Sequence, residues 1–73
     1  MEILGTLAYS DWKKGKGVDP HRIVLLKIRK GDRIEYTTHE EVKRPGKKQV
    51  EHYSGHYFTN LGDAFKDLDK RGK

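Results

Sequence analysis

The sequence predicts an α+β domain: a three- or four-stranded antiparallel sheet with one C-terminal helix packed on one of its faces. Two observations predict it. Runs of alternating or β-branched apolar residues, separated by Gly, Pro and Asp turn signals, fill the chain up to Phe58. Only the segment after Asn60 carries apolar residues at helical spacing.

Glu2 to Tyr9 is the first strand, with Ile3, Leu7 and Tyr9 on one side of a period-2 ribbon and Gly5 marking a bulge. Ser10 to Pro20 (SDWKKGKGVDP) has no periodicity and two glycines, so a flexible basic loop is expected over about residues 10–20. His21 to Lys30 reads as the central strand, because Ile23, Val24, Leu25, Leu26 and Ile28 give it the apolar density of a strand covered on both sides. Lys30-Gly31-Asp32 is a tight turn, and Arg33 to Val42 alternates Ile34, Tyr36 and Thr38 with Glu35, Thr37 and His39. Arg44-Pro45-Gly46-Lys47 has Pro and Gly at the central positions preferred in a type II turn. Lys48 to Phe58 supplies a further strand, interrupted at Ser54-Gly55. Asn60 caps the helix, with Asp63 placed to reach back to the cap amide. Leu61, Ala64, Phe65 and Leu68 form its apolar stripe, Lys70 and Arg71 its last turn, and Gly72 its stop. A helix this short is marginal alone and must dock on the sheet.

Composition narrows the function. Of the 73 residues, 33% are apolar and 37% charged, against roughly 45–50% and 25% in ordinary domains. One small single-domain core can be built, and a deep, dry active site cannot. Sixteen Lys and Arg face eleven Asp and Glu, a net charge of +5. The excess is local, +5 in residues 11–33 and +3 in residues 41–50. Such a balance favours polyanions, because phosphate neutralisation releases counterions. The absence of cysteine excludes disulfides and thiolate metal sites. The longest apolar run, residues 23–26, is too short to span a bilayer, and residues 1–10 lack the features of a signal peptide. The expectation is a cytoplasmic protein without membrane partners, in the bacterial host cytoplasm if phage-encoded.

Three sets of side chains carry candidate binding chemistry. Trp12 stands beside Lys13, Lys14 and Lys16, where an aromatic ring can stack on a base while the lysines reach phosphates; the same Trp would serve equally as a core anchor. Lys43, Arg44, Lys47 and Lys48 surround the second turn, as a phosphate grip or as lysines that keep strand ends from pairing with other chains. Arg22, Lys27, Arg29 and Arg33, with Tyr36 and Tyr53, make a polyanion platform if Lys27 and Arg29 face away from the helix. Glu35, Glu40, Glu41 and Glu51 on the same strands would cancel that field by cross-strand pairing. His52 and His56 would share one side of a strand about 13 Å apart, too far for one metal ion. No nucleophile elbow or phosphate loop is present, so the expectation is a non-enzyme without metal or cofactor.

The segment His56-Tyr57-Phe58-Thr59-Asn60-Leu61-Gly62-Asp63-Ala64-Phe65-Lys66-Asp67-Leu68 resembles small phage and prophage proteins in which strands run into an aromatic pair and a Leu-x-x-Ala helix. It is similar, more distantly, to the sheet-plus-helix DNA-binding modules of integrases and AP2-type factors. The long N-terminal strand and loop and the acidic strand residues depart from those modules, so no binding residue is carried over. The resemblance implies a close approach of helix to sheet at Ala64 and a small accessory protein.

Two function classes follow. The first is a nucleic-acid binder, with DNA the favoured ligand, acting through Trp12, Lys13, Lys14, Lys16, Lys27, Arg29, Lys43, Arg44, Lys47 and Lys48. The second is a phage or mobile-element accessory protein that binds and inhibits a host protein or nucleoprotein complex, of the anti-defence or anti-CRISPR type. Homodimer formation by edge-strand pairing, through Arg33 to Val42 or Glu2 to Tyr9, is a further expectation.

Overall fold

The computed structural model describes residues 2–46 and 48–73. They form an α+β fold: strands β1 (Glu2–Tyr9), β2 (Lys13–Gly15), β3 (Val18–Lys30), β4 (Arg33–Val42) and β5 (Glu51–Phe58), then helix α1 (Leu61–Arg71). The sheet is antiparallel throughout, in the order β1-β3-β4-β5. The short β2 pairs with the start of β3. Since β4 lies along the other side of β3, β1 and β2 follow one another along one edge.

Residues 10–20 are therefore not one loop. Lys13 pairs with His21 and Gly15 with Val18, so this segment and the start of β3 form a small hairpin around Lys16 and Gly17. Gly17 takes φ 76°, a left-handed value that glycine adopts without strain. The Lys30–Arg33 pair closes a two-residue loop in which Gly31 has φ 63°. Gly46 has φ 77°, as a type II turn requires at that position, while the last residue of that turn, Lys47, lies outside the described residues. Of the two expected edges, β4 is interior because β5 pairs along its far side, whereas β1 is an edge. Two register shifts, between Ile3 and Gly5 and between Thr6 and Ala8, give β1 two bulges and take Leu7 out of the simple alternation with Ile3 and Tyr9.

Alternation along β3 sorts the core. Ile23 and Leu25 meet Ala64 and Leu68 of the helix, with Ala8, Tyr36 and Phe58 around them. Val24, Leu26 and Ile28 point to the opposite face, yet their exposures are only 0%, 4% and 0%. They are flanked in register by Tyr9 and His39, by Thr6 and Thr37, and by Ile3 and Glu35. Those neighbours shield the open face without a second layer.

Asn60 caps α1 by accepting a hydrogen bond from the Asp63 amide at 3.1 Å. The docking stripe differs from the apolar periodicity. Ala64 and Leu68 are buried, but Leu61 and Phe65 remain exposed. The stripe is completed instead by Asp67 and Arg71. Asp67 accepts from the Thr38 hydroxyl at 2.5 Å and contacts His56 at 2.9 Å; Arg71 donates to the Thr38 and Ser54 carbonyls at 3.1 and 2.8 Å. Two of these four docking side chains are thus polar, which an apolar pattern does not reveal.

The interruption at Ser54-Gly55 is a β-bulge. Thr38 pairs with His56 and Glu40 with Tyr53, leaving His39 opposite two residues, and Ser54 adopts φ 53°. A Cβ at Gly55 would lie 2.5 Å from His39 Nε2. Gly55→Ala is therefore expected to cost about 1–3 kcal/mol through overpacking, lowering the midpoint of thermal unfolding by several degrees. An unchanged midpoint would show that the His39 ring moves aside freely.

Candidate nucleic-acid interface

The two cationic segments meet at one end of the sheet. The β2–β3 hairpin carries Lys13, Lys14 and Lys16; the chain leaving β4 carries Lys43 and Arg44. The Lys43 amide donates to the Pro20 carbonyl at 2.9 Å, which ties the second segment to the start of β3. Between them lies an open groove of ≈ 380 Å³, lined by Trp12, Lys14 and Pro20 from one side and by Lys43, Arg44, Pro45 and Gly46 from the other. Lys14, Lys16, Lys43 and Lys48 are exposed, and among the described residues none of them has a carboxylate partner. Lys13 is half-buried and its ammonium donates to the Lys73 carbonyl.

The arginines behave differently. Arg44 pairs with Glu51 at 2.9 Å and Asp19 at 3.4 Å, and donates to the Tyr53 hydroxyl at 3.3 Å. The Glu51 hydrogen bond and charge, with the Asp19 charge added and slight desolvation opposing, raise its already high pKa further. Arg22 lies between two rings, 4.2 Å from the centre of Tyr9 and 4.4 Å from that of Trp12, and pairs with the buried Glu41 at 2.8 Å. On the next strand His52 Nε2 lies 3.0 Å from the other Glu41 oxygen, so Arg22, Glu41 and His52 form a row across three strands. Arg29 pairs loosely with Glu2 at 3.8 Å.

The sheet-face platform does not form. Lys27 and Arg29 alternate with Ile23 and Leu25, on the helix side rather than the open side, and Lys27 stands in register with Tyr36 of the helix-side core. Arg22 is on the open face but neutralised by Glu41. Positive charge therefore stands at both ends of the long strands, with Lys14, Lys16 and Lys43 at the groove end and Lys27, Arg29, Lys30 and Arg33 toward the β3–β4 turn. The sequence reading also missed Pro20 and Pro45 as walls of the groove. Their sequence signal was only their closeness to the two cationic segments, and nothing in the sequence showed that those segments adjoin.

The bulge also redistributes the histidines. It puts His52 with Glu41 on the open face and His56 with Asp67 beneath the helix. His39 is the histidine near His52, with ring centres 5.9 Å apart, and Tyr57 meets it edge-on at 6.1 Å. Among the described residues no group of three His, Cys, Asp or Glu is placed to hold a metal ion. The buried His39 Nδ1 has no hydrogen-bond partner among those residues.

Burial lowers the His39 pKa, and the charges of His52, Arg71 and His56 lower it further. For Asp67, burial pushes upward but is outweighed by hydrogen bonds from Thr38 and His56 and by the charges of His56 and Arg71, so its pKa is lowered. Both shifts have the same consequence for stability. Each contribution is complete above the unfolded-state pKa, about 6.5 for His and about 3.9 for Asp, and is lost as pH falls toward the folded value. His39→Gln should therefore flatten stability between pH 7 and 5.5 relative to the parent, as read from urea midpoints. An identical slope in both proteins would contradict the assignment.

Comparison of the chain with protein families, curated proteins and solved structures gives no significant match. Among the described residues no helix is long and apolar enough to cross a membrane. The chemistry of the groove is therefore read from its own residues: two ammonium groups and a guanidinium beside an indole and two proline rings.

Proposed function

We propose that the protein is a non-enzymatic nucleic-acid-binding module whose interface is the end of the sheet that carries Lys14 and Lys43. The supporting observation is the convergence of Lys14 and Lys43, distant in sequence, on one groove beside Trp12. Lys16 and Lys48 extend the same cationic character in the adjoining segments. Ammonium groups without carboxylate partners can neutralise phosphates and so release the cations condensed along the nucleic acid, which contributes to polyanion affinity. The paired Arg22 and Arg44 contribute through position rather than free charge. Lys27 and Arg29 stand outside this interface.

Anisotropy of a labelled 20-mer DNA at several salt concentrations tests the reading. The expected log–log slope corresponds to about 0.9 per phosphate contact on duplex and about 0.7 on single strands, hence about 3.6 or about 2.8 for four lysines. A flat salt response would end it.

A second reading, an accessory protein that binds a host protein, draws on the open face, where Ile3, Tyr9 and Tyr57 are exposed. Retention of one stoichiometric protein from nuclease-treated host lysate, lost on replacing Tyr9 and Tyr57, would favour it over the first.

A further inference from the structure

The groove joins two kinds of chemistry that a duplex backbone would not use together. Its lining combines ring surface, from Trp12, Pro20 and Pro45, with charge from Lys14, Lys43 and Arg44. A phosphate grip alone needs only the charge. We infer that the groove is a base-stacking subsite for single-stranded nucleic acid, with one unpaired base against Trp12 and the flanking phosphates at Lys14 and Lys43. This inference rests on the nucleic-acid reading above and deepens it.

Three features support it. The groove is open to solvent and its ≈ 380 Å³ gives room for one planar group to enter beside Trp12. Arg22, held by the buried Glu41, packs over one face of the indole at 4.4 Å, so the ring is braced from that side and a base would take the other face. The two carboxylates that meet Arg44 of the lining, Glu51 at 2.9 Å and Asp19 at 3.4 Å, are both paired with it, so they add less repulsion toward an incoming phosphate. In a duplex each base face is covered by its neighbours, and reaching Trp12 would require flipping a nucleotide out. A single strand offers that face freely, and stacking on an aromatic side chain tolerates any base.

Trp12 is the sole tryptophan, so intrinsic fluorescence reports on this ring alone. The experiment titrates the whole protein with a twelve-nucleotide oligothymidylate, an abasic strand of the same length, and a twelve-base-pair duplex, reading anisotropy and Trp fluorescence together. The expected result is quenching by the oligothymidylate only, and binding of the abasic strand weaker by about 5- to 150-fold, the range of one base–aromatic stack. Trp12→Ala should lose the same factor for the oligothymidylate, with Trp12→Phe intermediate. Equal affinity for the normal and abasic strands without quenching would overturn the stacking subsite while leaving the polyanion reading intact. Absence of binding to all three would overturn both. Should Trp12→Ala fail to fold, the abasic comparison on the parent protein decides alone.

Discussion

On the proposed reading, replacing Lys14, Lys16, Lys43 and Lys48 together with alanine should lower the slope of log affinity against log salt by about 3 and weaken nucleic-acid binding on the order of a thousandfold at 0.1 M salt. The size follows from counterion release, in which four contacts act multiplicatively. The four side chains are exposed and, among the described residues, have no carboxylate partner, so the unfolding midpoint should stay within a few degrees of the parent. Arg44→Ala is the internal control. Its guanidinium is already engaged by Glu51 and Asp19, so its loss should change the slope by less than the loss of one lysine. A slope unaffected by the fourfold change, or one governed by Arg44, would place the interface elsewhere.

Leu25→Ala has the largest expected effect on stability. Leu25 is completely buried, at the contact of β3 with Ala64 and Leu68 of the helix. Truncating such a side chain costs about 2–5 kcal/mol, as transfer free energy plus the residual cavity. A domain of this size has little to spare, since small chains bury a smaller fraction of their surface. The midpoint should fall by at least about 10 °C, and at the upper end of the range the chain is largely unfolded at room temperature. Phe65→Ala, on the exposed side of the same helix, should change it far less. Equal losses at both positions would mean that the helix docks through the Leu61–Phe65 stripe that the apolar periodicity suggests.

Much of this fold was legible in the sequence, and the failures share a cause. β4 runs from Arg33 to Val42 as its alternation and bounding turns indicate, and Asn60 caps the helix as its position suggests. Those features are local. β2 has only three residues, Lys13 to Gly15, without β-branched character. It exists because β3 extends back to Val18 and offers an edge for pairing, which no local pattern reports. The sides taken by Lys27 and Arg29 follow from the parity of Ile23 and Leu25, and that parity acquires meaning only once the helix chooses its face. Asp67 and Arg71 dock through hydrogen bonds to Thr38, His56 and the Ser54 carbonyl, contacts invisible to hydrophobic periodicity. The candidate site was legible as two cationic segments and one Trp. Their meeting across the Lys43–Pro20 hydrogen bond is a consequence of strand register, as is the neutralisation of Arg22 by Glu41 directly opposite it.

The central claim is that lysines from two separate segments act as a single binding surface. An NMR titration of the labelled protein with a short oligonucleotide measures this directly. The account predicts that the amides of residues 12–16 and of the 43–48 segment shift together, along one saturation curve with one affinity, while those around His39 and Tyr57 on the open face stay still. Shifts confined to one segment, two distinct affinities, or a response centred on the open face would contradict it.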